Sequence, residues 1–241
     1  AEETPVALVY NGISHVVLMA TPQDLAELAL GFSLSEGILE KAGECYDIEV
    51  KTGVDGVEVH LEIAAARFAA LKERRRNISG RTGCGLCGID SLAAVMPDIA
   101  PLERQNRLDA GEISQVLQRF DQALPLRNQT GALHAAAWVV EGEIRQVFED
   151  VGRHNALDKL LGYLAKNDVN RADGWMLVSS RASYEMVAKT AKLGIGILVA
   201  VSAPTALAVR LADAANLTLI GFARADGQTV YTHPEFLNVK S

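Results

Sequence analysis

Short apolar segments alternate with helical segments of around ten residues from about Thr130 to the C-terminus, and this alternation constrains the fold more than any other feature. Segments 175–179 and 195–201 have the length and composition of buried strands. Segments 155–165 and 184–193 show helical periodicity and precede them in turn. The pattern predicts βαβ crossovers and a parallel sheet, and such sheets bind ligands beyond the carboxyl ends of their strands.

The first eighty residues predict a smaller unit of hairpins and helices. Asn11-Gly12 lies between two β-rich runs, which is a strong signal for a type I′ hairpin turn, and a second hairpin is predicted around a turn at 53–56. Thr21-Pro22 predicts a helix start with Thr21 as the N-cap. The chain therefore divides into residues 1–80 (a small β-hairpin and helix domain), 81–129 (a cysteine loop and connecting helix) and 130–241 (an α/β domain).

Composition excludes several classes of protein. The chain has 241 residues and a net charge of −7, which argues against a general nucleic-acid binder. Its three cysteines fit a reducing cytosol better than a secreted disulfide scaffold. The longest apolar run, 193–203, is too short to span a bilayer, and no signal-peptide pattern opens the sequence. We expect a cytoplasmic protein with no nucleic-acid or membrane partner.

Two cysteines, Cys84 and Cys87, lie in a glycine-rich stretch, Gly80–Gly88, just after the basic run Lys72–Arg76. Glycine permits positive φ and close approach to the backbone. Nearby lysine or arginine lowers the pKa of a thiol, and the thiolate is the reactive form. The composition of this segment predicts a mobile, activated sulfur centre.

Four interpretations of the cysteine pair stay open on residue chemistry alone. A zinc site needs two further ligands, and Cys45, His134 or His154 would have to supply them through the fold. A thioredoxin-like redox pair normally opens a helix directly after a strand, which the flanking glycines disfavour. The pair could also be two small buried residues. The fourth interpretation is a carrier of persulfide sulfur.

Three segments follow predicted strands and would meet at one edge of the sheet. Arg153 and His154 stand at a predicted helix N-terminus, which is a natural anion site. Ser180 and Arg181 suit phosphate. Each segment also has an ordinary explanation as a helix cap, a charged surface or a β-turn, but together they predict a large anionic ligand such as a nucleotide. The segments are 149–159, 179–185 and 222–227.

His134 begins an apolar strand, where a lone histidine is usually a hydrogen-bonded core residue. A zinc deaminase would need His-x-Glu followed later by a cysteine pair. Ala136 stands where that Glu would be, and the cysteine pair comes earlier in the chain. Deaminase chemistry is therefore not expected.

Five motifs in combination resemble the formate dehydrogenase accessory sulfurtransferase family (FdhD). The likeness runs over nearly the whole chain. The motifs are Gly80–Gly88, Asp150–His154, Leu157–Lys159, Val178–Ser183 and Tyr231–Pro234.

The resemblance implies a fold, a function and partners. The implied fold is a cytidine deaminase-like three-layer α/β domain with a smaller N-terminal β-hairpin/helix domain, assembled as a homodimer. The implied function is a sulfur carrier that accepts persulfide sulfur from a cysteine desulfurase. The sulfur then passes to the bis-guanine-dinucleotide molybdenum cofactor before its insertion into formate dehydrogenase. The cofactor is a bound substrate, held by its guanine nucleotide moiety, and no permanent metal is expected.

The resemblance also assigns roles to residues. Cys84 matches the residue that bears the persulfide, and Cys87 matches its partner. The alternatives are a chaperone that binds the cofactor without carrying sulfur, and a structural zinc module. The expected cofactor-binding residues are Phe222, Ala223, Arg224, Ala225, Asp226 and Gly227 from the resemblance, with Arg153, His154, Ser180 and Arg181 from the anion loops.

Overall fold

The structure is a computed structural model that describes residues 1–78, 99–103 and 106–238, and it has a mixed α/β fold. The strands are β1 (Thr4–Tyr10), β2 (Ile13–Ala20), β3 (Cys45–Thr52), β4 (Val57–Ile63), β5 (Leu108–Asp109), β6 (His134–Val140), β7 (Glu143–Asp150), β8 (Trp175–Val178), β9 (Ile197–Ala200), β10 (Thr218–Arg224), β11 (Gly227–Val230) and β12 (Leu237–Asn238). The helices are α1 (Leu25–Ser35), α2 (Ala65–Ile78), α3 (Ala110–Phe120), α4 (Pro125–Thr130), α5 (Arg153–Lys166), α6 (Tyr184–Lys192) and α7 (Ala206–Ala214). In the described part of the chain, no helix combines the length and apolarity needed to cross a membrane.

The N-terminal unit is a four-stranded sheet in the order β2-β1-β4-β3, with α1 and α2 packed on one face. Both predicted hairpins are confirmed. Asn11 and Gly12 both have positive φ, as a type I′ turn requires. Inward side chains of β1 and β4, such as Leu8 and Val59, pack against Leu28 of α1.

Helix α1 begins at Leu25, so the predicted start at Thr21 is wrong. The N-cap is Asp24, in the left-handed region at φ 53°. The Thr21 hydroxyl instead accepts a hydrogen bond from the Val151 N–H at 3.2 Å, and the Thr21 N–H donates to the Asp150 carboxylate at 3.1 Å. Partners from a distant strand have replaced the local cap, which sequence alone does not reveal.

The C-terminal sheet has six strands in the order β11-β10-β9-β8-β6-β7, and it is mixed rather than parallel as predicted. Strands β8, β9 and β10 are parallel and are joined through α6 and α7. Strand β6 is antiparallel to both β7 and β8. The short turn at Glu141-Gly142, where both residues have positive φ, folds β6–β7 as a hairpin.

The mixed topology still brings four strand ends together. Because β7 and β8 are both antiparallel to β6, β7 runs in the same direction as β8, β9 and β10. We call the edge where these four strands end the carboxyl edge. The start of β6 lies at the same edge.

Helices cover both faces of this sheet, which gives three layers. Leu157 and Leu160 of α5 and Met186 of α6 pack on one face, together with α7. Ile113 and Val116 of α3 pack on the other face.

The two units meet where α1 crosses α5, and two glycines allow the helix backbones to touch. A Cβ atom on Gly31 would overlap the carbonyl oxygen of Asp158, and one on Gly162 would overlap the carbonyl oxygen of Glu27. No side chain can be inserted at either position without moving one helix away from the other. The crossing therefore fixes the N-terminal unit on the three-layer domain.

We expect Gly162→Ala to lower the free energy of unfolding by about 2–3 kcal/mol, since overpacking against a backbone atom forces the helices apart. The change is measured by urea denaturation. Gly43→Ala is the matched control, because a Cβ at Gly43 meets no atom within 4 Å. The control is expected to shift stability by no more than about 0.5 kcal/mol. Equal stabilities for the two variants would contradict the described crossing.

Candidate functional site

The predicted sulfur centre, Cys84 and Cys87, lies outside the described residues. The described cysteine, Cys45, is half-buried, and its thiol donates a hydrogen bond to the Asp47 carbonyl at 3.5 Å. Burial raises the pKa of Cys45 to about 11, so at neutral pH it stays a thiol and is a poor nucleophile. Within the described residues no group of three or more His, Cys, Asp or Glu side chains is placed to hold a metal ion. A zinc site would therefore have to include residues outside them.

Helix α2, which leads into the cysteine segment, is fixed to the N-terminal unit. Leu71 is buried in the core of that unit. The Arg67 guanidinium lies 2.9 Å from the Glu44 carboxylate. The Arg74 guanidinium donates to the Glu36 carbonyl, just beyond α1, at 3.1 Å. The chain thus enters the cysteine segment from a point anchored on α1.

Charged residues of the motif that follows β7 are largely buried. Asp150 and Lys159 form an ion pair at 2.8 Å, and both side chains are 0% exposed. The ammonium of Lys159 also donates to the Thr21 carbonyl at 3.1 Å. The Asp150 carboxylate accepts from the Gly152 N–H at 2.9 Å and from the Asn155 amide at 3.0 Å. These residues are buried rather than part of a charged surface, and they join the α5 N-terminus to the segment before α1.

A second buried network joins α1, α5 and α6. Asp158 lies 2.7 Å from the Lys189 ammonium and accepts a hydrogen bond from the Ser35 hydroxyl at 2.8 Å. Lys189 also contacts the Glu36 carboxylate at 3.0 Å. Burial raises the pKa of Asp158. Burial alone would lower the pKa of Lys189, but the charges of Asp158 and Glu36 outweigh it and raise that pKa. The Lys189 ammonium, 2.7 Å away, offsets part of the cost of burying the Asp158 carboxylate.

Four predicted site residues lie at the carboxyl edge, at the starts of α5 and α6. The His154 imidazole is 2.8 Å from the Glu185 carboxylate in the first turn of α6. Burial lowers the pKa of His154, Glu185 opposes this, and Arg153 adds to it. Ser180 is buried and its hydroxyl donates to the Arg181 carbonyl, whereas Arg181 is exposed. Arg153, His154 and Arg181 are thus brought to one edge, and Ser180 shapes the loop between them.

The predicted segment 222–227 forms the end of β10 and the turn into β11. Phe222 is 47% exposed and has φ 50°, whereas Ala223 is buried in the sheet core. Arg224 pairs with Gly227 at the hairpin tip, and residues 224–227 are exposed. Four inter-strand spacings of about 4.8 Å separate β10 from β7, so these two strands are roughly 19 Å apart across the sheet. That separation suits an elongated ligand.

The structure adds His134 and Arg127 to the carboxyl edge. His134 starts β6 and is paired in register with Asp150. Burial lowers the pKa of His134, and the charges of Arg153 and Arg127 lower it further. His134 is half-buried, and its ring makes no hydrogen bond recorded within the described residues, so the interpretation as a hydrogen-bonded core residue is not supported. The Glu141-Gly142 turn is the sequence signal that could have located His134 at this edge. It implies an antiparallel β6–β7 pair, in which the start of β6 lies beside the end of β7.

A cavity of about 800 Å³ lies at the opposite edge, between the segment after α1 and the C-terminal ends of α5 and α6. Leu39, Arg171 and Lys192 line it. None of the predicted site residues does so. The cavity is separate from the predicted ligand site.

The fold and its polar carboxyl edge define a three-layer α/β protein with a small sheet-and-helix unit fixed on α5. The model of the FdhD/NarQ family matches residues 1–238, and the chain belongs to that family.

Two known proteins are similar to this chain. The sulfur carrier protein FdhD of Cupriavidus necator is 57% identical over 242 residues, which cover 98% of this chain and 83% of that protein. The crystal structure of a putative formate dehydrogenase accessory protein from Desulfotalea psychrophila has a TM-score of 0.76 at 26% identity. That alignment covers 99% of this chain and 90% of the other.

We expect Lys159→Met to lower the free energy of unfolding by about 3–5 kcal/mol, since it leaves the Asp150 carboxylate buried without its partner. Chemical denaturation measures the loss. Lys51→Met removes an exposed ion pair with Glu49 and serves as the control, with an expected change of at most about 1 kcal/mol. A Lys159→Met protein as stable as the control would show that the pair is not buried.

We expect the pKa of His134, followed by NMR, to lie below the ordinary 6.5 and to rise in Arg153→Gln, because one of the nearby positive charges is removed. A lowered pKa means that the folded state resists protonation. The contribution of His134 to stability is therefore complete above pH 6.5 and declines as the pH falls below it. An unchanged pKa of His134 in Arg153→Gln would show that the charge of Arg153 does not act on His134. His134→Gln assigns the resonance.

Proposed function

We propose that this protein is a sulfur carrier in formate dehydrogenase maturation. It accepts persulfide sulfur from a cysteine desulfurase on Cys84 and transfers that sulfur to the bis-guanine-dinucleotide molybdenum cofactor, before the cofactor is inserted into formate dehydrogenase. The observation that carries the proposal is the 57% identity, over 98% of the chain, to a protein named as a sulfur carrier.

The cysteine chemistry supports Cys84 rather than Cys45 as the sulfur-bearing residue. Cys45 has a pKa raised to about 11 by burial, so very little thiolate forms on it at neutral pH. Cys84 has four glycines around it, and arginines precede it at positions 74–76 and 81. That cationic setting favours the thiolate.

In the first step, the Cys84 thiolate attacks the outer sulfur of the desulfurase persulfide. A new S–S bond forms on Cys84, the S–S bond of the donor breaks, and the donor cysteine leaves as a thiolate. The sulfane sulfur keeps its oxidation state, so the step needs no outside oxidant or reductant.

In the second step, the Cys87 thiolate assists release of the terminal sulfur. Attack of Cys87 on the inner sulfur of the Cys84 persulfide forms a Cys84–Cys87 disulfide and releases the outer sulfur as sulfide. Sulfide is the oxidation level of sulfur that a metal ligand requires. A thiol reductant then returns the disulfide to two thiols. The molybdenum cofactor is the substrate that takes up the sulfide.

The carboxyl edge holds the cofactor in this proposal. Arg153, His154 and Arg181 contact one part of the guanine dinucleotide, and the tip formed by 222–227 contacts another. The separation of roughly 19 Å between β7 and β10 supports an extended ligand across the sheet. Ala223 and Ser180 act through the backbone and loop shape, since both side chains are buried.

The remaining features follow the family resemblance. The three-layer domain has the cytidine deaminase-like fold, and the chain divides at residues 1–80, 81–129 and 130–241. The protein works as a cytoplasmic homodimer with sulfurtransferase activity. The α5–α7 layer and the α3 layer on the two faces of the mixed sheet support the fold assignment.

We expect incubation with a cysteine desulfurase and cysteine to add about 32 Da, one sulfur atom, to the peptide that contains Cys84. Mass spectrometry of the intact protein and its peptides measures the gain. Cys84→Ala is expected to abolish both the gain and formate dehydrogenase maturation. Cys45→Ala, the matched control, is expected to retain both.

Two outcomes would contradict the proposal in different ways. Full maturation with Cys84→Ala would indicate a chaperone that binds the cofactor without carrying sulfur. About one zinc ion per chain in elemental analysis, with no persulfide, would indicate a structural metal module.

A further inference from the structure

Two arginines and a histidine lie at the β6–β7 end of the carboxyl edge. The backbone N–H of Arg127 donates to the Glu149 carboxylate at 2.6 Å, which places the start of α4 against the end of β7. His134 is the register partner of Asp150, and Arg153 follows three residues later as the first residue of α5. All three residues therefore lie where the end of β7 and the start of β6 meet at the carboxyl edge.

The carboxylates at this end are already engaged. Asp150 is paired with the buried Lys159 at 2.8 Å. Glu149 accepts the backbone N–H groups of Leu126 and Arg127 at 3.0 and 2.6 Å. Glu185 is paired with His154. The described carboxylates at this end therefore have partners other than the guanidinium groups of Arg127 and Arg153.

The arginines themselves lack strong partners. Arg153 forms no ion pair or hydrogen bond recorded within the described residues, and its Nε atom is buried. Among residues 1–78, 99–103 and 106–238, the one ion pair of the Arg127 guanidinium is with Asp121, at 3.5 Å, and the Asp121 side chain is 80% exposed. Exposed pairs of this kind contribute little. A buried guanidinium nitrogen without a partner costs free energy unless a ligand pairs with it.

We propose that Arg127, His134 and Arg153 bind the phosphate groups of the nucleotide that the carboxyl edge holds, an inference that rests on the cofactor site of the proposed function. Two arginines offer planar, multiple donors that match phosphate oxygens. His134 adds a third contact that strengthens when it is protonated. The guanine end of the nucleotide then extends along the edge toward the tip at 224–227.

The site also explains why protonation of His134 is disfavoured in the free protein. Arg153 and Arg127 lower its pKa, together with burial, and only Asp150 opposes them. A phosphate between the arginines cancels their charge, so the bound state allows His134 to take up a proton. Binding of the anion and protonation of His134 are therefore linked.

The test uses GDP as the probe and compares Arg127→Gln with Arg145→Gln. Arg145 is exposed, lies near the start of β7 at the far end of the strand, and gives the same change of charge. Calorimetry measures the affinity of each protein for GDP. We expect Arg127→Gln to weaken binding about tenfold, the effect of losing one charge-assisted hydrogen bond. Arg145→Gln is expected to bind as the wild type does.

NMR supplies a second readout in the wild-type protein. Saturating GDP is expected to raise the pKa of His134, and inorganic pyrophosphate alone is expected to do the same. Absence of GDP binding, equal affinities in the two variants, or a His134 pKa that GDP leaves unchanged would each overturn the site.

Persulfide loading separates this inference from the proposed function. If Cys84 loads no sulfur but GDP binding still depends on Arg127, the sulfur-carrier function fails and the phosphate site stands. If Cys84 loads sulfur normally and Arg127→Gln binds GDP as the wild type does, the carrier function stands and the phosphate site fails.

Discussion

The close contact of α1 with α5 is the constraint on which the rest of the structure depends. Gly31 and Gly162 let the two backbones touch, and buried ion pairs flank the contact. Replacing such pairs with apolar residues is often tolerated, but removing one partner is costly, so they specify one arrangement of the two units. The Asp150–Lys159 pair fixes the segment before α1, and Asp158 fixes the end of α1 through Ser35.

This arrangement couples the two parts that sulfur transfer needs. Helix α2 is anchored on the N-terminal unit by its buried Leu71 and by Arg74, and Cys84 follows the end of α2 by six residues. A chain of that length reaches at most about 20 Å. The α1–α5 contact therefore sets where the cysteine segment starts relative to the carboxyl edge.

Local patterns in the sequence predicted most elements. The hairpin at Asn11-Gly12 and the helices of the C-terminal half followed from turn chemistry and periodicity. The predictions that were wrong concerned residues and strands whose partners lie far away in the chain. Thr21 did not cap α1 because Val151 and Asp150 engage it. The sheet is mixed because β6 inserts between β7 and β8, and strand order is not encoded in any one segment.

The site was predicted unevenly for the same reason. Arg153, His154 and Arg181 follow strands directly, so strand-end reasoning located them at the carboxyl edge. The neighbouring Asp150, Asp158 and Lys159 have charges that look like ligands in sequence, but their partners are other buried side chains. His134 was interpreted as a core residue, and its place at the carboxyl edge was not predicted because it depends on the direction of β6.

The central claim is that one chain both carries the sulfur and presents it to a cofactor bound on its own carboxyl edge. Single-turnover transfer tests this most directly: protein loaded with ³⁵S-persulfide is purified away from the desulfurase and mixed with the molybdenum cofactor. We expect the label to leave Cys84 and appear in the cofactor. Label that stays on the protein, or that leaves at the same rate without the cofactor, would contradict it.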